Sequence, residues 1–225
     1  MKKTLVFLAV LTLVLSLPTF ADELITNGGF ETGDFTGWTV TNQAGGSGNW
    51  YTTGATNAPL SGEPTVGPAS GSFYAVSDQT GPGGHNLTQS FTLNGNTATL
   101  SFDMFVNDYD GGPFCNNGTD YTSGQVECAW VNILDSTGNT VLSNLYAGAD
   151  PLSSNPNPYT SYSFDITGLG PGTYQLQFLE VDNQSFFNMG VDNVSINEAP
   201  EPGSIFLFGT GLAGLAGIIR RRIAN

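Results

Sequence analysis

One histidine, two cysteines and 19 acidic residues are the groups of this 225-residue chain that could do chemistry. His85 stands in Gly81-Pro82-Gly83-Gly84-His85-Asn86, which reads as a mobile loop. Cys115 and Cys128 can form one disulfide in an oxidising compartment. His85 has no spacing relation to them that would suggest zinc. No nucleophile elbow is evident, so catalysis would have to come from paired carboxylates. Glycoside hydrolysis needs two of them ~5–9.5 Å apart, and nothing in the residue pattern selects a pair. Asn107-Asp108-Tyr109-Asp110-Gly111-Gly112 holds Asp-x-Asp-Gly, half of a calcium loop without the later bidentate Glu. A solvated turn is the plainer reading there, and Asp120 could join it if the disulfide folds that loop back. Trp38, Trp50, Tyr51, Tyr109 and Trp130 have the apolar body and polar handle that suit contact with a sugar ring. Trp50, Tyr51 and Tyr109 fall on expected loops and are the candidates for ligand contact, with ordinary loop anchoring as the alternative.

Charge narrows the choice further. Both lysines and all three arginines lie at the two chain ends, while every Asp and Glu lies between Asp22 and Glu201. The formal charge of that body is about −19, against −14 for the whole chain. Phosphate contacts need Lys and Arg, which excludes nucleic acid as a partner. Salt bridges are nearly excluded too. Such a body repels itself unless cations screen it, and carboxylates favour hard ions such as Ca²⁺.

The elements that must position these groups are short. Lys2 and Lys3, the apolar run Leu5 to Leu17 and Thr19-Phe20-Ala21 make residues 1–21 a secretory signal peptide, with cleavage after Ala21. Residues 22–198 then form one domain with a real core. Gly, Thr, Ser and Asn are abundant there, and short alternating stretches between Gly, Pro and Asn clusters predict an all-β sandwich. Strands are expected at 72–77, 87–93, 97–106, 125–134, 139–146, 159–166 and 173–182. In the third of these, Ala98, Leu100, Phe102, Met104 and Val106 share one face at period two. Asp135-Ser136-Thr137-Gly138 is a hairpin turn. The stretch 45–71 reads as loop with a short strand around Trp50-Tyr51. Eight to ten strands suit a jelly roll.

Two stretches bracket this body. Asn27-Gly28-Gly29-Phe30-Glu31, with Gly37-Trp38 soon after, resembles the opening of galactose-binding-like jelly rolls, a fold shared by many carbohydrate-binding modules. Val191-Asp192-Asn193-Val194-Ser195-Ile196 resembles their closing strand. The resemblance implies first and last strands as neighbours, Trp38 in the core, and a structural Ca²⁺ between the two segments. Glu31 and Asp192 would supply its carboxylates, and carbonyls near Asn27 and Gly29 could add ligands. Capping of turns at the sheet edge is the other role open to the two acids.

Residues 199–225 are an address label. Pro200-Glu201-Pro202 precedes an uncharged run from Gly203 to Ile219, then Arg220-Arg221-Arg222. Seventeen residues at ~1.5 Å each reach about 26 Å, the short end for a hydrocarbon core of ~30 Å, and the arginines should stay cytoplasmic. Gly209-x-Gly211-x-x-Gly214 matches a dinucleotide fingerprint but lacks its βαβ context. The tail resembles the PEP-CTERM sorting signal of Gram-negative bacteria, which an exosortase recognises. That resemblance implies export across the inner membrane, a transient membrane anchor, and a place in the envelope or matrix beside extracellular polysaccharide. The expected product is a non-enzymatic surface protein that can hold sugar. An adhesive protein without sugar binding and a small glycan-active enzyme are the alternatives.

Overall fold

A computed structural model describes residues 21–109, 115, 118–148, 155–199, 211 and 214. The signal-peptide expectation and the sorting motif at Pro200, Glu201, Pro202, Arg220, Arg221 and Arg222 lie outside the described residues. Residues 22–198 form one compact unit.

Alternation of apolar and small polar residues does form strands. They are β1 (Asp22–Glu23), β2 (Thr39–Asn42), β3 (Asn49–Thr53), β4 (Tyr74–Asp78), β5 (Gly83–Leu93) and β6 (Ala98–Asp108). Then come β7 (Glu127–Leu134), β8 (Val141–Gly148), β9 (Thr160–Asp165), β10 (Gly172–Asp182) and β11 (Phe187–Glu198). One sheet runs β3-β4-β11-β6-β9, with β1 also on β11, and the other runs β2-β5-β10-β7-β8. Every named pairing is antiparallel. A 3₁₀ turn spans Thr167–Leu169. The molecule is a two-sheet, all-β sandwich.

Period two places the core between the sheets. Leu100, Phe102 and Met104 of β6 face inward against Leu87 and Phe91 of β5 and Leu176 and Phe178 of β10, all 3% exposed or less. The Phe178 ring meets Phe102 edge-on at 5.3 Å and lies 6.0 Å from Trp38. Burial of one such side chain stabilises by ~1.5–3 kcal/mol.

The expected strands are present with shifted ends, and the Asp135 turn is a hairpin. Gly138 sits at φ 74° and donates to Asp135 O, while Asp135 Oδ1 accepts from Thr137 N and Asn139 N. Cys115 and Cys128 are joined, with Cα atoms 5.0 Å apart. One strand was not anticipated. β2 is four residues long and mostly polar, and it pairs along the edge of β5. β1 adds two residues to β11, which makes the first and last strands neighbours as expected.

Phe178→Ala is expected to lower stability by about 3–5 kcal/mol, read as a lower denaturation midpoint in urea with an unchanged slope.

Candidate functional site

The opening and closing segments meet. Gly28 lies so close to β11 that a β carbon on it would sit 1.8 Å from Val194 O, and Gly28 O accepts from Val194 N at 2.9 Å. Trp38 Nε1 donates to Asn27 O at 3.2 Å, which ties the opening turn to a core ring. β11 bulges between Asp192 and Ser195. Asn27, Phe30 and Asn193, the three described non-glycine residues with positive φ, all lie here. Asp192 is buried, and its Oδ2 accepts from Ala69 N (2.9 Å) and Ser70 N (3.0 Å). Glu31 is exposed and accepts from Ser72 N and Phe73 N. A β carbon on Gly29 would lie 3.7 Å from Glu31 Cγ and 3.8 Å from Asp192 Oδ1, so both acids border one spot. Burial raises the Asp192 carboxyl above its ordinary range; donated N–H groups partly offset this, and the Glu31 charge adds to the rise.

A second feature is the outer face of the five-stranded sheet. Asn144 Nδ2 donates to Asn132 Oδ1, Asn132 Nδ2 to Gln177 Oε1, and Gln177 Nε2 to Asn86 Oδ1, at 2.7–2.8 Å. These four amides cross β8, β7, β10 and β5 in one row. Beside the row, Thr39, Thr41, Thr88, Ser90 and Gln175 line a groove of about 510 Å³. That size falls in the range of ligand clefts. No lining residue carries a charge. The apolar cluster of Cys128, Trp130, Leu179 and Val181 continues the same face beyond the amides.

The aromatics expected to contact a ligand are turned to other uses. The short strand expected around Trp50-Tyr51 is β3, paired with β4, but Trp50 is 1% exposed and its Nε1 donates to His85 O at 3.1 Å. It offers no ring face to a ligand, which corrects its assignment to ligand contact. Tyr51 is half-buried on the same strand and packs against the cluster of Tyr74, Val76 and Phe105. Tyr109 follows β6 and donates from its hydroxyl to Pro64 O at 2.6 Å. None of the three lines the groove. Asp120 accepts from Gln43 Nε2 and Thr122 N, and residues 110–112 of the acidic loop it was expected to join lie outside the described residues.

His85 is also no loop residue. It lies in β5 and is 1% exposed. The glycines before it look like a loop signature, but Gly83 is a close approach: a β carbon there would be 2.2 Å from Ser47 O and 2.7 Å from His85 Nε2. Around His85 the structure assembles a carboxylate pair that the residue pattern had not singled out, Glu180 and Asp182 on the inner face of β10. The signal was there to find. Leu176, Phe178, Glu180 and Asp182 share one phase, so a strand whose first two members are core must carry the last two inward as well.

With this geometry established, comparison with known proteins is informative. Residues 198–222 match the PEP-CTERM protein-sorting motif. No curated protein matches the chain. Among solved structures, the fold is similar to TmCBM61 in complex with β-1,4-galactotriose, at 12% identity and TM-score 0.52, over 79% of this chain and 99% of that one. It is similar to the enzymatically active domain of bacteriophage CBA120 tailspike protein 4, at 14% identity and TM-score 0.50, over 78% of this chain and 21% of that one. The CBM22-1 xylan-binding domain of Paenibacillus barcinonensis Xyn10C gives 14% identity and TM-score 0.46 over 83% and 100%. At such identities the likeness is one of fold. The chain is a sandwich with the architecture of carbohydrate-binding modules. It carries a PEP-CTERM motif at its C-terminal end.

Because Trp50 is a core residue, Trp50→Ala should lower stability by about 3–5 kcal/mol, whereas Tyr109→Ala removes one hydrogen bond and should cost about 0.5–1.5 kcal/mol. Urea denaturation of both variants checks the difference.

Proposed function

We propose that this is an exported surface or matrix protein, sorted by an exosortase at its tail, whose sandwich holds an uncharged glycan on the outer face of the five-stranded sheet. The observation that carries the sugar reading is the row of interlocked amides beside a groove without charge. In a stretch, Asp22 to Glu201, with 19 acids and no Lys or Arg, a face of amides and hydroxyls is the surface that does not repel or demand an ion. Each amide is already oriented by its neighbour, so less side-chain freedom is lost when a polyol docks. Hydroxyl groups of a sugar can both donate and accept, as side-chain amides do. The likeness in fold to a module solved with a galactose oligomer agrees with this reading.

The sorting motif supports export and processing at the chain end. The neutral face supports a binding role over turnover.

Calcium belongs to the same reading. Two carboxylates border one spot with no Lys or Arg in the body to offset them, and Asp192 is raised by burial and by Glu31. Backbone strain at Asn27, Phe30 and Asn193 gathers at the same place, and such strain marks sites held for a purpose. The donor set fits a hard, oxygen-ligated ion. Glu31 and Asp192 would hold it, with backbone carbonyls completing the shell. Its chemistry would be structural, pinning the first segment to the last strand.

A glycan array probed with the full chain should retain neutral polysaccharides and reject uronate-bearing or sulfated ones. Gln177→Ala should weaken that binding by about tenfold, the loss of a hydrogen bond or two, with little change in melting temperature. Retention of no glycan at all would favour the adhesive reading. Separately, chelation should lower the melting temperature by about 5–10 °C, as removal of a native-state ligand at 100 times its Kd does. Glu31→Gln should abolish that response.

A further inference from the structure

At one end of the sandwich the interior turns polar. Glu180 and Asp182 enter it from β10, His85 from β5 opposite Glu180, and Glu127 from β7 opposite Asp182. The other sheet brings Gln79, just after β4, and Asp108 at the end of β6, while Asp78 and Asn188 pair with each other on that sheet's outer side. Glu180, Asp182, His85 and Gln79 are each 1% exposed or less. Gln79 Nε2 donates to Glu180 Oε1 at 3.0 Å and to Asp182 Oδ2 at 2.9 Å. One amide nitrogen therefore holds two carboxyl groups across the space between the sheets. Two ionised carboxylates would repel strongly in such a place, and the body has no Lys or Arg to offset them.

Glu180 Oε2 is the oxygen of this pair that no donor reaches. It is buried without a hydrogen-bond partner, and the nearest ring nitrogen, His85 Nε2, is 3.8 Å away. His85 is engaged elsewhere: its Nδ1 lies 3.0 Å from Asn42 Oδ1, and the Ser47 carbonyl flanks its Nε2 side. A proton on Glu180 removes the second charge from a pair that one amide nitrogen must otherwise hold together. We propose that this layer is a proton-operated lock: Glu180 holds a proton at neutral pH, which lets it sit beside Asp182 on the Gln79 amide, and loses it to water only as this end of the sandwich loosens in alkaline solution. Gln79 leads into Thr80, Gly81 and Pro82, and Asp182 into Asn183; together these segments line a cleft of about 150 Å³ that loosening would widen.

The direction of the pH dependence follows from the environment. Burial above all, with the charges of Asp182 and Asp78, pushes the Glu180 carboxyl well up. Burial draws His85 down to about 4. Stability from a raised acid is complete below its unfolded value and is lost as pH rises through its folded value. Stability from a depressed histidine is complete above its unfolded value of 6.5 and is lost as pH falls toward 4. The two slopes oppose one another below pH 6.5, and between there and pH 10 Glu180 sets the falling slope; above pH 10 the buried Tyr74 and Tyr159 hydroxyls, also raised, add to it.

Urea unfolding of the full chain at fixed calcium tests this. From pH 6.5 upward the folded-to-unfolded ratio should fall about tenfold per pH unit, the slope for one proton, until Glu180 ionises. Glu180→Gln should remove that fall. Asp192→Asn, which changes the other raised carboxyl, should keep it. Should Glu180→Gln not fold, the carboxyl ¹³C resonance of Glu180 in the unaltered chain decides: it should hold its protonated position at pH 7 and titrate above. A resonance already at the ionised position at pH 7, or a Glu180→Gln chain with an undiminished slope, would overturn the proposal.

Discussion

A carboxylate in this sandwich has no lysine or arginine to meet. That constraint shapes most of what is not strand. Negative charge must be met by N–H donors, and free N–H donors are found where the backbone leaves the ladders. Asp78 takes Leu60 N and Ser61 N, Asp192 takes Ala69 N and Ser70 N, and Glu31 takes Ser72 N and Phe73 N. Three acids thus fasten the long connection between β3 and β4 at three points. Glu198 does the same for Asn94 and Asn96 at the turn between β5 and β6, and Glu23 for Ile196. Hydrogen bonds to a charged acceptor contribute ~1.5–3 kcal/mol each, so these loops are held by charge without any ion pair. On the surface the same device acts locally. Thr137 and Thr140, donating to Asp135, hold its carboxyl down to about 2.

Where two acids meet, donors alone do not remove their repulsion, and the two places where that happens are the two of interest. At the Glu31–Asp192 junction Glu31 is exposed and Asp192 buried, and a cation is the proposed answer to the two charges. In the layer around Glu180 they lie inside, and a proton is the smaller answer. The same physics also leaves one surface free of acids altogether, the amide face of the five-stranded sheet. Charge distribution, more than any single side chain, separates the three regions.

β11 is the element that connects them. It pairs with β1, β4 and β6, carries Asp192 at its bulge, buries Glu198 at its end, and leads directly into the sorting motif. The chain therefore closes its fold at the point where its address begins.

Strand positions were legible in the amino-acid pattern because alternation across a half-buried sheet is a local property; β6 and the core half of β10 show it plainly. So was the bracketing of the body by its first and last segments, since the glycines at 28 and 29 and the bulge at Asp192 serve a contact that both stretches must accommodate. The absence of Lys and Arg from the body, and with it the exclusion of nucleic acid, needed composition alone. Partners across strands were not legible. Thr39–Asn42 became a strand through the free edge of β5, and Trp50 became core because β4 and His85 receive it. The amide row spans residues 86 to 177, and Gln79 finds Glu180 across 101 positions; no window of sequence holds either set. The sequence by itself determined the alternation, the charge and the two ends. Only the tertiary structure decided which polar groups face one another, because register and sheet packing, set by the whole chain at once, bring distant side chains within hydrogen-bonding reach.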